Sequence, residues 1–219
     1  MTNFVATFLA LMVVCLPVAA QPRGDAAAVA AAERLLNQAG GADAWRKGTF
    51  EAAERAFLRS GETAELRIVR DFKKMTRLIE RRSPSTTFKE WVAPDGGWSE
   101  RNGARAEMPA SELAAELYGL KQEPYVIYHR LATAPSELRV ELRDEGASLF
   151  VFDKDERLLC WFRLAQNGTM RGWGNFYDGA INEHYYGPVA DMGDANLPRW
   201  GAAANGSFRF EYVRARLYD

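Results

Sequence analysis

The side chains best suited to chemistry are concentrated in residues 175–188, NFYDGAINEHYYGP, which hold an Asp, a Glu, a His and three tyrosines. Such a set could supply a general base or ligands for a metal ion. His184, oriented by Asp178, could activate a serine brought from elsewhere, which gives a hydrolase as one alternative. The other interpretation is an ordinary β-hairpin that bends at Asp178-Gly179 and uses its tyrosines for packing.

The spacing of these residues argues against both chemistries. In an extended strand successive side chains point to opposite faces, so Glu183 and His184 do not converge on one ion. Only His129 could supply a second imidazole, and the spacing matches no zinc signature, so we expect no metal. No G-x-S-x-G elbow and no glycine-rich nucleotide loop occurs, so we expect no nucleophilic serine and no cofactor. We therefore favour a protein without catalytic activity.

The first twenty residues, MTNFVATFLALMVVCLPVAA, contain no charged side chain and a long apolar run. Val18 and Ala20 occupy the −3 and −1 positions of a small-residue cleavage site. We predict a signal peptide over residues 1–20, cleaved after Ala20, and a periplasmic mature protein. Cys160 would then be the only thiol, so the mature chain would depend on its core and not on a disulfide.

Composition excludes several partner classes. The 28 Lys and Arg residues nearly balance the 29 Asp and Glu residues, and neither sign forms a long run. Nucleic-acid binding needs a concentrated basic stripe, so we expect no nucleic-acid partner. With 47% hydrophobic residues the chain is globular, and it has neither a linker nor a repeat. Residues 21–219 are therefore predicted to form a single domain.

The elements begin with a helix and continue as strands. In DAAAVAAAERLLNQAGG, Asp25 is the predicted N-cap and Gly40-Gly41 the stop, and Trp45 in the next short turn is expected to point inward. Residues 49–58 are predicted as a strand. Alternation then places Leu66, Ile68 and Arg70 on one side of the following strand. Repeated Asp-Gly and Asn-Gly pairs indicate tight hairpins, and hence an antiparallel meander.

One helical insert interrupts the strands. Residues 110–120 are predicted as a helix with Ser111 as N-cap, and residues 123–132 as a second helix with Pro124 in its first turn. Strands resume at 137–143, where Leu138 faces the core. The order predicts an α+β fold, in which helices pack on one face of a large curved antiparallel sheet, an unclosed β-barrel.

Two strands, LFVF at 149–152 and LLCWF at 158–162, are apolar on both faces. A plain thick core would explain this pattern, and so would a hydrophobic cavity between the sheet and the helices at 111–132. For the cavity, the candidate ligand-binding residues are Phe150, Phe152, Leu159 and Trp161. Cys160 in the same run is expected to be a buried, unreactive thiol.

The closing segment carries a resemblance to a known family. Leu197-Pro198, the turn Asn205-Gly206 and the alternating aromatics of FRFEY at 208–212 follow one another as in the LolA/LolB-like superfamily of periplasmic lipoprotein carriers and their outer-membrane receptor. Gly40-Gly41 followed by Trp45 also resembles the start of many members. The chain is similar to this superfamily in the order of its elements over most of its mature length.

The resemblance implies an unclosed β-barrel with a helical lid over an apolar cavity that takes acyl chains or other hydrophobic ligands. The family's lid-holding arginine matches no particular residue of this sequence. The leading hypothesis is thus a non-catalytic periplasmic carrier for a lipid or acyl chain, with a lipoprotein acyl chain as one candidate cargo. A hydrolase using His184 and Asp178, and a scaffold with an envelope-protein partner, stay open as alternatives.

Overall fold

The computed structural model describes residues 20–177 and 179–219. Residues 1–19, which contain most of the predicted signal peptide, and Asp178 lie outside the described residues. No helix in the described ranges is both long enough and apolar enough to cross a membrane.

The described chain contains four α-helices and fifteen strands. The helices are α1 (Ala26–Gln38), α2 (Ala42–Trp45), α3 (Ala110–Gln122) and α4 (Pro124–Thr133). The strands are β1 (Thr49–Leu58), β2 (Thr63–Asp71), β3 (Thr76–Arg82), β4 (Thr87–Ala93), β5 (Gly96–Arg101), β6 (Ala104–Glu107), β7 (Arg139–Arg143), β8 (Ser148–Phe152), β9 (Leu158–Leu164), β10 (Met170–Tyr177), β11 (Ala180–Tyr186), β12 (Val189–Asp191), β13 (Asn196–Pro198), β14 (Trp200–Ala203) and β15 (Phe208–Tyr218).

Thirteen of these strands form one sheet in the order β6-β5-β4-β3-β2-β1-β15-β14-β11-β10-β9-β8-β7. Every neighbouring pair in it is antiparallel, and β12 and β13 form a separate ribbon. The first strand, β1, pairs with the last strand, β15, in the middle of the sheet. The predicted α+β fold with a large antiparallel sheet is confirmed.

The helix ends follow the capping rules with one exception. Asp25 Oδ1 accepts from the backbone N–H of Ala28, which confirms the predicted N-cap of α1. Helix α4 begins at Pro124, where a missing N–H costs nothing. The predicted N-cap of α3 was wrong, because α3 already begins at Ala110 and Ser111 lies within its first turn. The extended backbone of Pro109 ends the preceding segment, so the helix can begin directly after it.

Helix α3 shows that the sheet is strongly curved. It contacts β4 at one end of the strand order and β9 and β10 toward the other. In a flat sheet β4 and β10 would stand about 34 Å apart, since seven steps of about 4.8 Å separate them. A helix of 13 residues is only about 20 Å long. The sheet must therefore curl around α3, as an unclosed barrel does.

We call the face covered by α1, α2 and α4 the inner face, and the opposite one the outer face. The inner face carries the main hydrophobic core, in which Trp45 and Phe50 are fully buried. Trp45 points inward as predicted, and its Nε1 donates to Ala39 O at 2.8 Å. Cys160 is also fully buried in this core, and burial raises the pKa of its thiol, as expected for an unreactive cysteine.

Candidate functional site

Strands β10 (Met170–Tyr177) and β11 (Ala180–Tyr186) form a hairpin, in which Asn175 faces Asn182 across the ladder. Gly179 has a φ of 75° at the bend, a conformation that favours glycine. The predicted hairpin is confirmed. Asp178, the predicted partner of His184, lies outside the described residues.

His184 and Glu183 lie on opposite faces of β11, as predicted. His184 lies on the inner face among the rings of Trp173, Phe208 and Phe210, with centroid distances of 5.5 to 6.1 Å. Burial lowers its pKa to about 4, so the imidazole is neutral at neutral pH. Glu183 lies on the outer face and accepts from Arg163 Nε at 3.0 Å. Within the described residues, no cluster of three or more His, Cys, Asp or Glu side chains could hold a metal ion.

Three of the four candidate ligand residues lie on the outer face. Phe150 and Trp161 stack at 6.0 Å, and Trp161 Nε1 donates to Glu183 at 3.2 Å. The Arg139 guanidinium lies 3.8 Å from the Phe152 ring centroid. Leu159, beside a bulge in the pairing of β8 with β9, belongs to the core. The structure thus does not bring the four together on the inner face, and their role as ligand contacts stays a prediction.

A buried cluster of charges lies under α3, on the inner face. Arg77 of β3 contacts three carboxylates: Glu90 of β4 and Glu116 of α3, each at 2.5 Å, and Glu123 at 3.2 Å. Burial opposes the charge of Arg77, but these carboxylates outweigh burial and raise the pKa of its guanidinium. Glu123 lies between α3 and α4, so Arg77 connects both helices to the sheet.

Arg70 of β2 completes this cluster. Its Nε donates to Glu123, and its guanidinium lies 4.9 Å from the centroid of the Tyr125 ring. Burial favours the neutral form of Glu123, but Arg70 and Arg77 together lower its pKa. Arg70 Nη1 and Arg77 Nε are enclosed yet have no hydrogen-bond partner among the described residues. Such atoms mark places where a polar group from outside the chain could bind.

Polar contacts also attach α3 to β10. Tyr177 donates its hydroxyl hydrogen to Glu116, the same carboxylate that accepts from Arg77. At the end of α3, Gln122 Oε1 accepts from Asn175 Nδ2 at 2.9 Å. Helix α3 is therefore held by β3 and β4 on one side and by β10 on the other. These contacts link the two halves of the sheet across the inner face.

Glu54 of β1 is a further buried carboxyl on the inner face. It lies between Tyr212 of β15 and Leu66 of β2, and only 7% of its surface is exposed. Burial raises its pKa to about 7, against the opposing effect of Arg70. No hydrogen bond to a described residue offsets this effect. Near neutral pH the carboxyl is therefore partly protonated.

Glu54→Gln should increase stability at high pH and leave it unchanged at low pH. The folded-state pKa is raised, so the stability associated with the protonated form is fully present below pH 4.5 and is lost as the pH rises through about 7. The shift from 4.5 to about 7 corresponds to about 3 kcal/mol. Urea unfolding of both proteins across this pH range measures the difference.

Glu51→Gln is the matched control, since Glu51 lies on the outer face of the same strand. Its pKa is lowered by the hydrogen bond from Arg67, so its contribution is present above its unfolded pKa and is lost as the pH falls. The control should thus be destabilised at neutral pH, with the opposite sign. Equal pH profiles for the two variants would contradict the assignment of Glu54.

The inner face remains partly exposed beyond the charge cluster. Five apolar side chains there are only half-buried, and we call them the inner apolar strip: Leu58, Leu66, Ile79, Phe88 and Phe208. Arg81 lies between Leu66 and Phe88 on the same face, and its guanidinium is 5.3 Å from the centroid of the Phe88 ring. Leu58 pairs with Phe208, and Leu66 is the direct neighbour of Glu54. Helix α3 covers this face loosely, since only Gly119, Leu120 and Gln122 of its residues are buried. The strip offers apolar contacts next to polar groups.

A groove of about 670 Å³ crosses the outer face. Most of its lining residues are charged and point outward from β15, β1, β2, β3 and β4: Arg55, Glu65, Arg67, Glu80, Arg82, Lys89 and Arg214. The lining also includes Ala53, Thr87 and Val213, and four residues that the register places on the inner face: Glu54, Leu66, Arg81 and Phe88. Alternating charges suit a polar partner better than an apolar ligand. The inner apolar strip is therefore the better candidate for a hydrophobic compound.

Sequence reasoning did not identify Glu54, Arg77 and Glu123 as a cluster. The available signal was alternation, because Glu54 has the parity of Phe50 and Ala52, which are buried. A charged residue at an inward position of a strand predicts a buried partner of opposite charge. The partners come from three other elements, so only the fold brings them together.

These features define a class: a curved antiparallel sheet whose inner face is crossed by a helix attached through buried ion pairs. Comparison of the chain with protein-family models and with the sequences of curated proteins gives no match. The candidate site is thus defined by its own geometry.

Proposed function

We propose that this protein is an exported, non-catalytic periplasmic carrier for a hydrophobic ligand, a lipid or acyl chain. The observation that carries the proposal is the half-buried inner apolar strip, which lies beyond the charge cluster under α3. Apolar side chains on a concave face are normally buried by protein, and a row left partly exposed is typical of a ligand surface.

The attachment of α3 supports the same proposal. A carrier must exchange its ligand, and α3 is held to the sheet mainly by polar contacts and by few buried apolar side chains. Arg70 and Arg77 are the candidates for arginines that hold such a helical lid. The resemblance to LolA/LolB-like carriers agrees with this arrangement and adds a lipoprotein acyl chain as a candidate cargo.

The hydrolase alternative has less support. The neutral, weakly basic His184 lies among aromatic rings, and no hydrogen bond from a described serine reaches it. The scaffold alternative would be supported by an envelope protein that copurifies in fixed stoichiometry and binds without lipid.

Ile79→Gln should weaken binding of the neutral dye Nile red about tenfold or more, because a buried, unpaired amide costs about 1–3 kcal/mol. Leu78→Gln is the matched control, since Leu78 is also half-buried on β3 but points to the outer face. Fluorescence titration of both variants and the unmodified protein measures the effect. Equal weakening by both variants, or no dye binding at all, would overturn the proposed function.

A further inference from the structure

The groove on the outer face concentrates positive charge that the chain as a whole lacks. The full chain is nearly neutral, with a formal net charge of −1. The outward-pointing residues that line the groove comprise five cations and two carboxylates: Arg55, Arg67, Arg82, Lys89 and Arg214 against Glu65 and Glu80. The inward-pointing Glu54 and Arg81 of the lining do not lower this excess of three positive charges. The groove therefore favours an anionic partner.

Three of these cations are exposed and form no ion pair with the described residues: Arg55, Arg82 and Arg214. The other two are already paired. Arg67 contacts Glu51 at 2.9 Å and Glu80 at 3.1 Å, and Lys89 contacts Glu80 at 3.3 Å. A guanidinium can bind a carboxylate through two parallel hydrogen bonds, so the three unpaired arginines are available to the carboxylates of a partner.

The shape of the groove fits a single extended chain. Its two rows of outward side chains are two positions apart along each strand, as Ala53 and Arg55 are, which is about 7 Å. The groove crosses five neighbouring strands and is thus about 19 Å long, the length of about six extended residues. A bilayer or a nucleic-acid duplex presents a broad surface that would contact only the tips of the rows. Single-stranded nucleic acid stacks its bases on aromatic side chains, and Phe88, the aromatic residue of the described lining, points to the inner face.

An irregularity in the pairing of β1 with β15 adds an apolar contact to the groove. The register shifts after Ala53, which is opposite Arg214, so that Glu54 is opposite Tyr212. Val213 is left without a partner in the ladder, and 60% of its surface is exposed. Bulges of this kind redirect side chains and are common beside functional sites. An apolar residue among the carboxylates of the partner would contact Val213.

We propose that this groove is a docking site for an extended acidic segment of a partner protein. The carboxylates of the segment pair with Arg55, Arg82 and Arg214, and its backbone runs across the strands. The arginines lie on the face opposite to the inner apolar strip, so the partner binds without displacing a ligand from the strip. The docking site does not depend on the proposed carrier function.

Binding of a fluorescein-labelled hexaglutamate peptide, followed by fluorescence anisotropy at low ionic strength, tests the site. The unmodified protein should bind this peptide and not a labelled hexaglutamine peptide. Added salt should weaken the binding, because exposed charges are screened. A groove variant, in which glutamine replaces Arg55, Arg82 and Arg214, should bind the peptide about tenfold more weakly. No binding of the peptide to the unmodified protein overturns the proposal.

The matched control removes the same charge elsewhere, by replacing Arg34, Arg157 and Arg171 with glutamine. These arginines are also exposed and form no ion pair with the described residues, but they lie outside the groove. The control variant should bind the peptide nearly as well as the unmodified protein. Equal weakening in both triple variants would show that net charge alone attracts the peptide, and the site would be wrong.

Glu65→Gln supplies a measurement that a loss of folding cannot imitate. Glu65 lies between Arg55 and Arg82 in one row of the groove, and it pairs with neither. Removal of its negative charge should tighten binding of the peptide about two- to fivefold. Unchanged or weaker binding contradicts the proposal.

Two further measurements separate the docking site from other functions. If the groove variant loses binding to phosphatidylglycerol vesicles but keeps binding to the peptide, the groove faces a membrane and the proposal is wrong. Nile red should bind the groove variant as it binds the unmodified protein, because the replaced arginines point away from the inner apolar strip. A failure of the docking site is therefore distinguishable from a failure of the carrier function.

Discussion

Replacing Arg77 by methionine is expected to lower the free energy of unfolding by about 3–5 kcal/mol. Arg77 is 8% exposed and forms ion pairs with the carboxylates of Glu90, Glu116 and Glu123. Its loss leaves buried carboxylates without their partner, and the penalty of an uncompensated buried charge exceeds that of a lost surface pair. Urea unfolding measures the loss, and hydrogen exchange should show faster exchange in α3.

Arg82→Met on the same strand is the matched control for this prediction. Arg82 is exposed on the outer face, and it forms no ion pair with the described residues. Its replacement should change stability by no more than about 0.5 kcal/mol. Adding Glu116→Gln to Arg77→Met should recover part of the loss, because one uncompensated carboxylate disappears. A double variant as unstable as the single one would argue against charge as the cause.

Replacing Trp45 by alanine is expected to cost about 3–5 kcal/mol of stability. Trp45 is fully buried, and its ring lies 5.0 Å from that of Tyr128 and 5.5 Å from that of Phe50. The change leaves a cavity between α2, α4 and the sheet, and it removes the hydrogen bond to Ala39 O. Thermal and urea unfolding should both show the loss.

Trp98→Ala on the outer face is the control for Trp45. Trp98 is half-buried under the Arg105 guanidinium, which lies 4.2 Å from the ring centroid. An exposed cation–π contact contributes about 1 kcal/mol or less, so a small effect is expected. A loss for Trp45→Ala as small as that expected for Trp98→Ala would contradict the central role of the aromatic cluster around Trp45.

Local signals in the sequence were sufficient to predict much of the fold. The cap at Asp25, the hairpin turns and the inward position of Trp45 depend on neighbouring residues, and each is confirmed. Alternation also placed Leu66, Ile68 and Arg70 on one face, where the register now puts them. These features need no information about distant parts of the chain.

The candidate site could not be predicted in the same way. Arg77 and Glu116 are separated by 39 positions, and Tyr177 meets Glu116 across 61 positions. In the strands at 149–152 and 158–162 both faces are apolar. The sequence therefore does not show on which face of the sheet Phe150 and Trp161 lie. Which side faces the helices is decided by the curl of the sheet, a property of all thirteen strands together.

The position of β15 in the middle of the sheet has a consequence for how the chain folds. The hairpins β1 to β6 and β7 to β11 contain mainly local pairings and can form early, but β15 and β14 alone join the two halves. One edge of β1 stays unpaired until β15 is available, and the paired residues are far apart in sequence, as Thr49 and Tyr218 are. Long-range pairing of this kind slows folding and exposes unpaired strand edges. The half-sheets would therefore need protection from aggregation until the last strand arrives.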